Sequence, residues 1–292
     1  MPKPYSLTLF SLRKPADPSG IRMSVQMIAY CLWEQFSNLP HVTLQYHESE
    51  DAAAIPAGDF ALIHDYFASA IYQRLPEIRA KTGQKIMGIM ESCFESPLID
   101  RAFTFLPIPW GKCEQIQLPC PQALLDANYS SQKMAGSVLL DHSWIEGGTP
   151  TDLCAKLYSW LSWSRIIAQL RRSGHESLEP PSWVQSIPES NYPAYLEATK
   201  QYETFILTHP GSYEHSIIDM AARGIRVLVP TVNGRPFCHP SIIEDLNLAT
   251  FSTQSELLNL LDDLPRPSPL DRFTDMPAIA AKIDAYCQGV LV

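Results

Sequence analysis

The sequence lacks the features that define several common classes of protein. Its seven cysteines are scattered singly through 292 residues, and no two of them form a C-x-x-C pair. An odd number of isolated cysteines favours reduced thiols over a disulfide framework or a structural zinc site. No apolar run approaches the ~20 residues that a membrane helix requires, and no secretory signal pattern opens the chain. We therefore expect no membrane span and a cytoplasmic location.

Positive charge is also scarce. Lysine and arginine total 22 against 31 aspartates and glutamates, which gives a formal net charge of −9. The one short basic run is the segment "LRRSGH". Because nucleic-acid binding draws most of its affinity from the neutralisation of phosphates, this balance disfavours a nucleic-acid partner.

Local signatures of metal and phosphate sites are missing as well. The chain contains no H-E-x-x-H, no Walker motif and no D-x-D motif. His209, His215 and His239 lie near one another in sequence, but none of them forms an i, i+4 pair with a second histidine. We therefore expect neither a protein-ligated metal nor a cofactor.

What the sequence does contain is a regular alternation of strand-like and helix-like segments. In the first half, the pattern predicts strands at 5–12, 42–47, 59–67 and 84–92 and helices at 23–38 and 71–83. In the second half, it predicts strands at 136–144, 203–210 and 225–230 and helices at 151–172, 214–224, 255–264 and 277–291. Such an alternation predicts an α/β protein with mainly parallel sheets, and the length favours two domains.

The segment 203–262 carries the most specific pattern. A strand is followed by "HPGSYEHS", by the helix-like "IIDMAARG" and by a second strand, "IRVLVP". This order resembles the donor-binding domain of two-domain glycosyltransferases of GT-B fold, in which an acidic helix residue precedes a glycine. Asp219 and Gly224 stand at these two positions.

The resemblance implies two Rossmann-like domains that face a cleft. Residues 1–130 would form the acceptor-side domain and residues 131–276 the nucleotide-sugar-binding domain. The helix within 277–292 would pack back on the first domain. The co-substrate would be a UDP-, GDP- or ADP-linked sugar, and a small molecule, glycan or protein is favoured as the acceptor.

The donor site can be assigned residue by residue from this resemblance. A helix N-terminus offers unpaired N–H groups to a diphosphate, and an acidic residue one turn later can accept ribose hydroxyls. Asp219 is the ribose candidate. The remaining donor-site candidates are Gly20, Ser143, Gly148, His209, Ser212, Tyr213, Glu214, His215 and Ser216.

Two departures from the family pattern leave the reaction class open. Arg226 stands where proline is common, and Gly211 occupies a position that the family pattern gives to an acidic residue. Retaining and inverting transfer both stay open, as do a nucleotide-sugar epimerase or hydrolase and an inactive nucleotide-sugar-binding module.

His64 and Asp65 are the candidates for the catalytic base. They follow a strand-like run at the edge of the sheet where α/β proteins bind ligands. Either side chain could take a proton from an acceptor hydroxyl, and Glu91, at the end of the strand-like run 84–92, is a second option. The alternative is that His64 is a hydrogen-bonded core residue and that Asp65 forms a turn. In the same way, the loop around Gly20 could be a solvated turn, and the segment 139–151 a turn with an N-cap.

Overall fold

The computed structural model divides the chain into two compact units. The first unit consists of residues 1–123 and 273–292, and the second of residues 124–272. The structure describes residues 1–11, 24–48, 54–64, 71, 73–90, 96–104, 111–116, 119–120, 132–141, 151–161, 165–170, 180–188, 190–208, 215–263 and 274–291. In these stretches no helix is both long and apolar enough to span a membrane.

A six-stranded parallel sheet forms the first unit. Its elements are β1 (Tyr5–Ser11), α1 (Ser24–Ser37), β2 (Val42–Glu48), β3 (Phe60–His64), α2 (Leu75–Thr82), β4 (Lys85–Met90), β5 (Arg101–Thr104), β6 (Cys113–Gln115) and the short β7 (Pro119–Cys120). The strands lie in the order β2-β1-β3-β4-β5-β6, and all of these neighbours are parallel. All five residues of β3 are buried, as expected for a central strand that is covered on both faces.

The second unit is a second α/β sheet. Its elements are β8 (Val138–Leu140), α3 (Thr151–Trp160), β9 (Ile167–Leu170), β10 (Gln185–Ile187), α4 (Tyr192–Thr199), β11 (Thr204–Ile206), α5 (His215–Ala222), β12 (Arg226–Val232), β13 (Arg235–Pro236), α6 (Pro240–Asp245), β14 (Ala249–Phe251) and α7 (Gln254–Asp262). The parallel strands follow the order β10-β9-β8-β11-β12-β14. Counted along the chain this order is 3-2-1-4-5-6, the order of a Rossmann fold.

The end of the chain belongs to the first unit. Strand β15 (Thr274–Asp275) pairs with β7, and α8 (Met276–Val290) follows it. Hydrogen bonds attach α8 to the first strand and to the residues before it. The Tyr5 hydroxyl donates to Asp284 at 2.8 Å, the backbone N–H of Lys3 donates to Gln288 at 2.8 Å, and the Gln288 side chain donates to the backbone oxygen of Lys3 at 2.9 Å.

The long helix predicted at 151–172 is wrong. Helix α3 ends at Trp160, and Ile167 and Leu170 belong to strand β9. Ile167 and Leu170 continue the apolar spacing of the helix, but all four residues of β9 are buried between β8 and β10. A short apolar run of this kind fits a buried strand and a buried helix equally well by periodicity, and here pairing with β8 determines the outcome.

Candidate functional site

The strand order of the first unit reverses between β1 and β3. From β1 the chain crosses to β2 on one side and then returns to β3 on the other. In parallel sheets, ligands bind beyond the carboxyl ends of the strands at such a switch point. Ser11 ends β1 and His64 ends β3, so both residues lie at this point.

Ser11 and His64 are in contact. The Ser11 hydroxyl lies 3.5 Å from Nδ1 of His64, and both residues are buried, with exposed fractions of 4% and 2%. The structure therefore places the predicted base candidate His64 at the ligand-binding edge, next to a serine that the sequence analysis did not single out. Asp65 lies outside the described residues.

In the second unit the switch point lies between β8 and β11. Asp141 follows β8, and Thr208 lies two residues beyond β11. The Thr208 hydroxyl donates a hydrogen bond to the backbone oxygen of Asp141 at 3.0 Å, and both residues are fully buried. This bond joins the two strand ends at the place where a Rossmann unit binds its ligand.

Helix α5 begins at His215, seven residues after Thr208, where the described β11 segment ends. Ser216, the second residue of the helix, is 3% exposed, and its hydroxyl has no hydrogen-bond partner in the described structure. A buried hydroxyl without a partner is costly, and the first N–H groups of a helix also lack partners within the helix. The Ser216 hydroxyl and the N–H groups that have no partner within the helix are donors of the kind that suits an anionic ligand.

Asp219 lies one turn further along α5, and its carboxylate meets helix α4. Its Oδ1 accepts a hydrogen bond from the Tyr192 hydroxyl at 2.6 Å, and only 3% of the residue is exposed. Burial, followed by the charge of Asp219, raises the pKa of Tyr192 well above its usual range, so the phenol stays protonated and donates. The ribose contact assigned to Asp219 stays a prediction.

Arg223, directly after the C-terminal end of α5, also contacts helix α4. Its Nε donates to the backbone oxygen of Asp219 at 2.7 Å, and its Nη1 donates to the backbone oxygen of Leu196 in α4 at 2.8 Å. The guanidinium also lies 5.4 Å from the centre of the Tyr195 ring. Helices α4 and α5 are therefore held together from Asp219 to the C-terminal end of α5.

Most other candidates fall outside the described residues. This holds for Gly20, Asp65, Glu91, Ser143, Gly148, His209, Ser212, Tyr213 and Glu214. The structure describes His215 only through its backbone, as the first residue of α5. Within the described stretches no group of three or more histidine, cysteine, aspartate or glutamate side chains could hold a metal ion.

Sequence reasoning missed Ser11, Thr208 and Tyr192. Ser11 and Thr208 carried a usable signal, because each is a polar residue at the end of an apolar strand-like run, as His64 is. Tyr192 carried none, since it lies 27 residues before Asp219 and meets it only through the packing of α4 on α5.

Comparison with known proteins identifies the fold. No protein-family model and no curated protein sequence matches the chain. Among solved structures, the UDP-GlcNAc 2-epimerase of Methanocaldococcus jannaschii, in complex with UDP-GlcNAc and UDP, aligns over 96% of this chain and 99% of its own, at 7% identity and a TM-score of 0.60.

Two transferases of known structure are similar to this chain to a comparable degree. The lipopolysaccharide outer core galactosyltransferase WaaB, in its apo form, aligns over 96% of this chain and 99% of its own, at 9% identity and a TM-score of 0.56. A mutant O-GlcNAc transferase of Thermobaculum terrenum aligns over 99% of this chain and 69% of its own, at 10% identity and a TM-score of 0.60. Together with the two α/β sheets, these likenesses confirm the predicted fold class: the chain has the GT-B fold.

Proposed function

We propose that this protein is a glycosyltransferase that moves a sugar from a nucleotide-diphosphate donor to an acceptor hydroxyl. The observation that carries the proposal is Ser216, a buried hydroxyl that has no hydrogen-bond partner among the described residues and that lies at the start of α5, beside the switch point of a Rossmann-type sheet. A diphosphate there would accept hydrogen bonds from the Ser216 hydroxyl and from the first N–H groups of the helix.

The chemistry follows from this placement. As the bond between the sugar C1 and the diphosphate oxygen breaks, negative charge grows on the diphosphate, and the donors at the start of α5 stabilise it. His64, or Asp65 beside it, takes the proton of the acceptor hydroxyl while the acceptor oxygen forms its bond to C1. The other donor-site candidates are part of this proposal: Gly20, Ser143, Gly148, His209, Ser212, Tyr213, Glu214, His215 and Asp219.

Binding of the donor can be measured without knowledge of the acceptor. We expect one or more of the UDP-, GDP-, ADP- and dTDP-sugars to raise the melting temperature, because a ligand at 100 times its Kd stabilises the native state by about 2.7 kcal/mol. Ser216→Ala should weaken this binding about 10-fold, the effect of one lost charge-assisted hydrogen bond. Ser255→Ala, at an exposed position of α7, is the matched control. Stabilisation by none of the donors would refute the proposal.

An epimerase is the second candidate, since UDP-GlcNAc 2-epimerases of two organisms share the fold with TM-scores of 0.60 and 0.55. An epimerase would change the configuration of the sugar in the absence of any acceptor, whereas a transferase would release the nucleoside diphosphate as it glycosylates an acceptor. The protein is incubated with each donor that it binds, and nuclear magnetic resonance spectra of the sugar then distinguish the epimerase from the transferase. Saturable binding without turnover of any donor would instead indicate an inactive binding module.

A further inference from the structure

A buried glutamine lies near the carboxyl end of an otherwise apolar strand in the second unit. Gln169 is the third of the four residues of β9 and has no exposed surface. Its partner in β8 is Leu140, the last residue of that strand, and Leu140 in turn is paired with Ile206, the last residue of β11. Gln169 is therefore level with the strand ends at which a Rossmann-type sheet binds its ligand.

The oxygen and the nitrogen of the Gln169 amide differ in their hydrogen bonding. The oxygen, Oε1, accepts a hydrogen bond from the hydroxyl of Tyr158 in α3, and the Tyr158 ring lies edge-on to Trp183 with ring centres 6.3 Å apart. The nitrogen, Nε2, is buried and has no hydrogen-bond partner among the described residues. An amide nitrogen only donates, and a buried donor without a partner costs free energy. Tyr158 thus orients an amide whose nitrogen is left for a further acceptor.

Gln169 is not the only group of this kind near the strand ends of the second unit. Ser216, at the start of α5, is also buried, and its hydroxyl also lacks a hydrogen-bond partner in the described structure. Strand β8 separates β9 from β11, the strand that precedes α5, so β9 and β11 lie about 10 Å apart. A nucleoside diphosphate carries its base and its diphosphate on opposite sides of a ribose. With the diphosphate at the start of α5, the ribose would lie beyond β8 and the base beyond β9.

We propose that Gln169 recognises the base of the nucleotide-sugar donor, and that its Nε2 donates a hydrogen bond to a carbonyl oxygen of uracil, thymine or guanine. The inference rests on the proposed function and narrows its donor. Thymine and guanine present a carbonyl oxygen, an acceptor, where adenine presents an amino group, and uracil has the same carbonyl groups as thymine. Since an amino group donates as Nε2 does, an adenine base leaves Nε2 without a partner. Gln169 therefore selects against ADP-linked sugars.

The affinity for free nucleoside diphosphates tests this selection, by isothermal titration calorimetry on the full chain. At least one of UDP, dTDP and GDP should bind about 10-fold more tightly than ADP, because only its base completes the bond to Nε2. Gln169→Met keeps the length of the side chain and removes the amide. It should weaken the binding of that nucleotide about 10-fold and leave the affinity for ADP within about twofold.

Gln185→Met is the matched control. Gln185 also accepts a hydrogen bond from a tyrosine hydroxyl, that of Tyr202 at 3.2 Å, but it is the first residue of β10 and is exposed. Its replacement should leave every affinity within about twofold. Affinity for ADP as high as that for the other three nucleotides, or an equal loss for all four in folded Gln169→Met, would overturn the inference and leave the proposed function intact. Binding of none of the four would refute both.

Nuclear magnetic resonance observes the amide in the unsubstituted protein. The Nε2–H signals of Gln169, assigned by their loss in Gln169→Met or Gln169→Glu, should shift on saturation with the preferred nucleotide and shift less on saturation with ADP. Their exchange with water should also slow, because the protons are then held in a hydrogen bond. Unchanged signals at saturation would overturn the inference independently of how the variants fold.

Discussion

The hydrogen bond between Tyr192 and Asp219 links a candidate site residue to the core of the second unit. The phenol donates to a carboxylate that is almost fully buried, and Arg223 holds the backbone of the same residue. A buried carboxylate needs such donors because the loss of hydration is otherwise uncompensated. Asp219 therefore contributes to the attachment of α5 to α4, whatever else it binds.

Removal of the Tyr192 hydroxyl should weaken the attachment of α5 to α4. We expect Tyr192→Phe to lower the free energy of unfolding by about 1–3 kcal/mol, since one donor to a buried carboxylate is lost while the ring stays in place. Urea denaturation measures the change. Tyr195→Phe is the control, because it removes a hydroxyl from the neighbouring ring, 6.0 Å from that of Tyr192, and leaves the bond from Tyr192 to Asp219 in place. Equal losses in both variants would contradict this account.

Gly58 occupies a position where a side chain has no room. A Cβ atom at Gly58 would lie 2.8 Å from Nε2 of Gln84 and 3.1 Å from the hydroxyl oxygen of Ser6. Gln84 is fully buried and donates to the backbone oxygen of Pro56 at 3.0 Å, so it cannot move aside without losing that bond.

We therefore expect Gly58→Ala to destabilise the first unit by about 1–3 kcal/mol, the usual cost of overpacking. Gly111→Ala is the matched control, because no atom of the described residues lies within 4 Å of its added Cβ. Thermal or urea denaturation of both variants provides the measurement, and equal stability of the two would show that Gln84 adapts at no cost.

Helix α7 illustrates how local sequence fixes an element. Its N-cap Thr253 accepts a hydrogen bond from the backbone N–H of Glu256 at 3.3 Å, and the Glu256 carboxylate accepts one from the backbone N–H of Thr253 at 3.1 Å. This reciprocal capping box satisfies donors that would otherwise lack a partner at the start of the helix. The backbone bonds to Ser252 and Thr253 also lower the pKa of Glu256.

Thr253→Ala should thus lower the free energy of unfolding by about 1 kcal/mol, the typical value of an N-cap side chain. Ser255→Ala, in the same exposed turn but outside the capping box, should change it by less than about 0.5 kcal/mol. Denaturation curves of the two variants test the difference, and a loss in Ser255→Ala as large as that in Thr253→Ala would argue against the capping box.

At the scale of the whole molecule, buried thiols couple stability to pH. Burial raises the pKa of Cys31 and of Cys287 from 9 to about 12. Between these values an unfolded thiol has lost the proton that the native thiol keeps, so the free energy of unfolding falls as pH rises. The contribution is complete below pH 9 and is lost as pH approaches 12.

We expect each of the two thiols to account for ~1 kcal/mol of the stability lost between pH 8 and pH 10. Cys31→Ala and Cys287→Ala should each reduce the loss of unfolding free energy between pH 8 and pH 10 by ~1 kcal/mol, whatever their effect on stability at pH 8. Ser255→Ala, at an exposed position of α7, removes no titrating group and should leave the slope unchanged. Urea denaturation at pH 8 and pH 10 measures the change in unfolding free energy for each variant. An equal change in all variants would contradict the prediction.

The amino-acid sequence by itself determined the fold class and many of the elements. Strand β1, helix α1 and helix α5 follow from apolar spacing, because side-chain periodicity reflects which face of an element is buried. The placement of His64 at the end of a strand could be inferred in the same way, since strand ends in a parallel sheet share one edge.

Only the tertiary structure decided which strands are neighbours and which polar groups meet. Ile167 and Leu170 form strand β9 because β8 and β10 lie beside them, and no local pattern contains that pairing. Ser11 meets His64 across 53 residues, and Tyr192 meets Asp219 across 27. Contacts between distant residues depend on sheet order and helix packing, whereas periodicity reports only the burial of each element, and this is the physical reason why the sequence alone could not predict them.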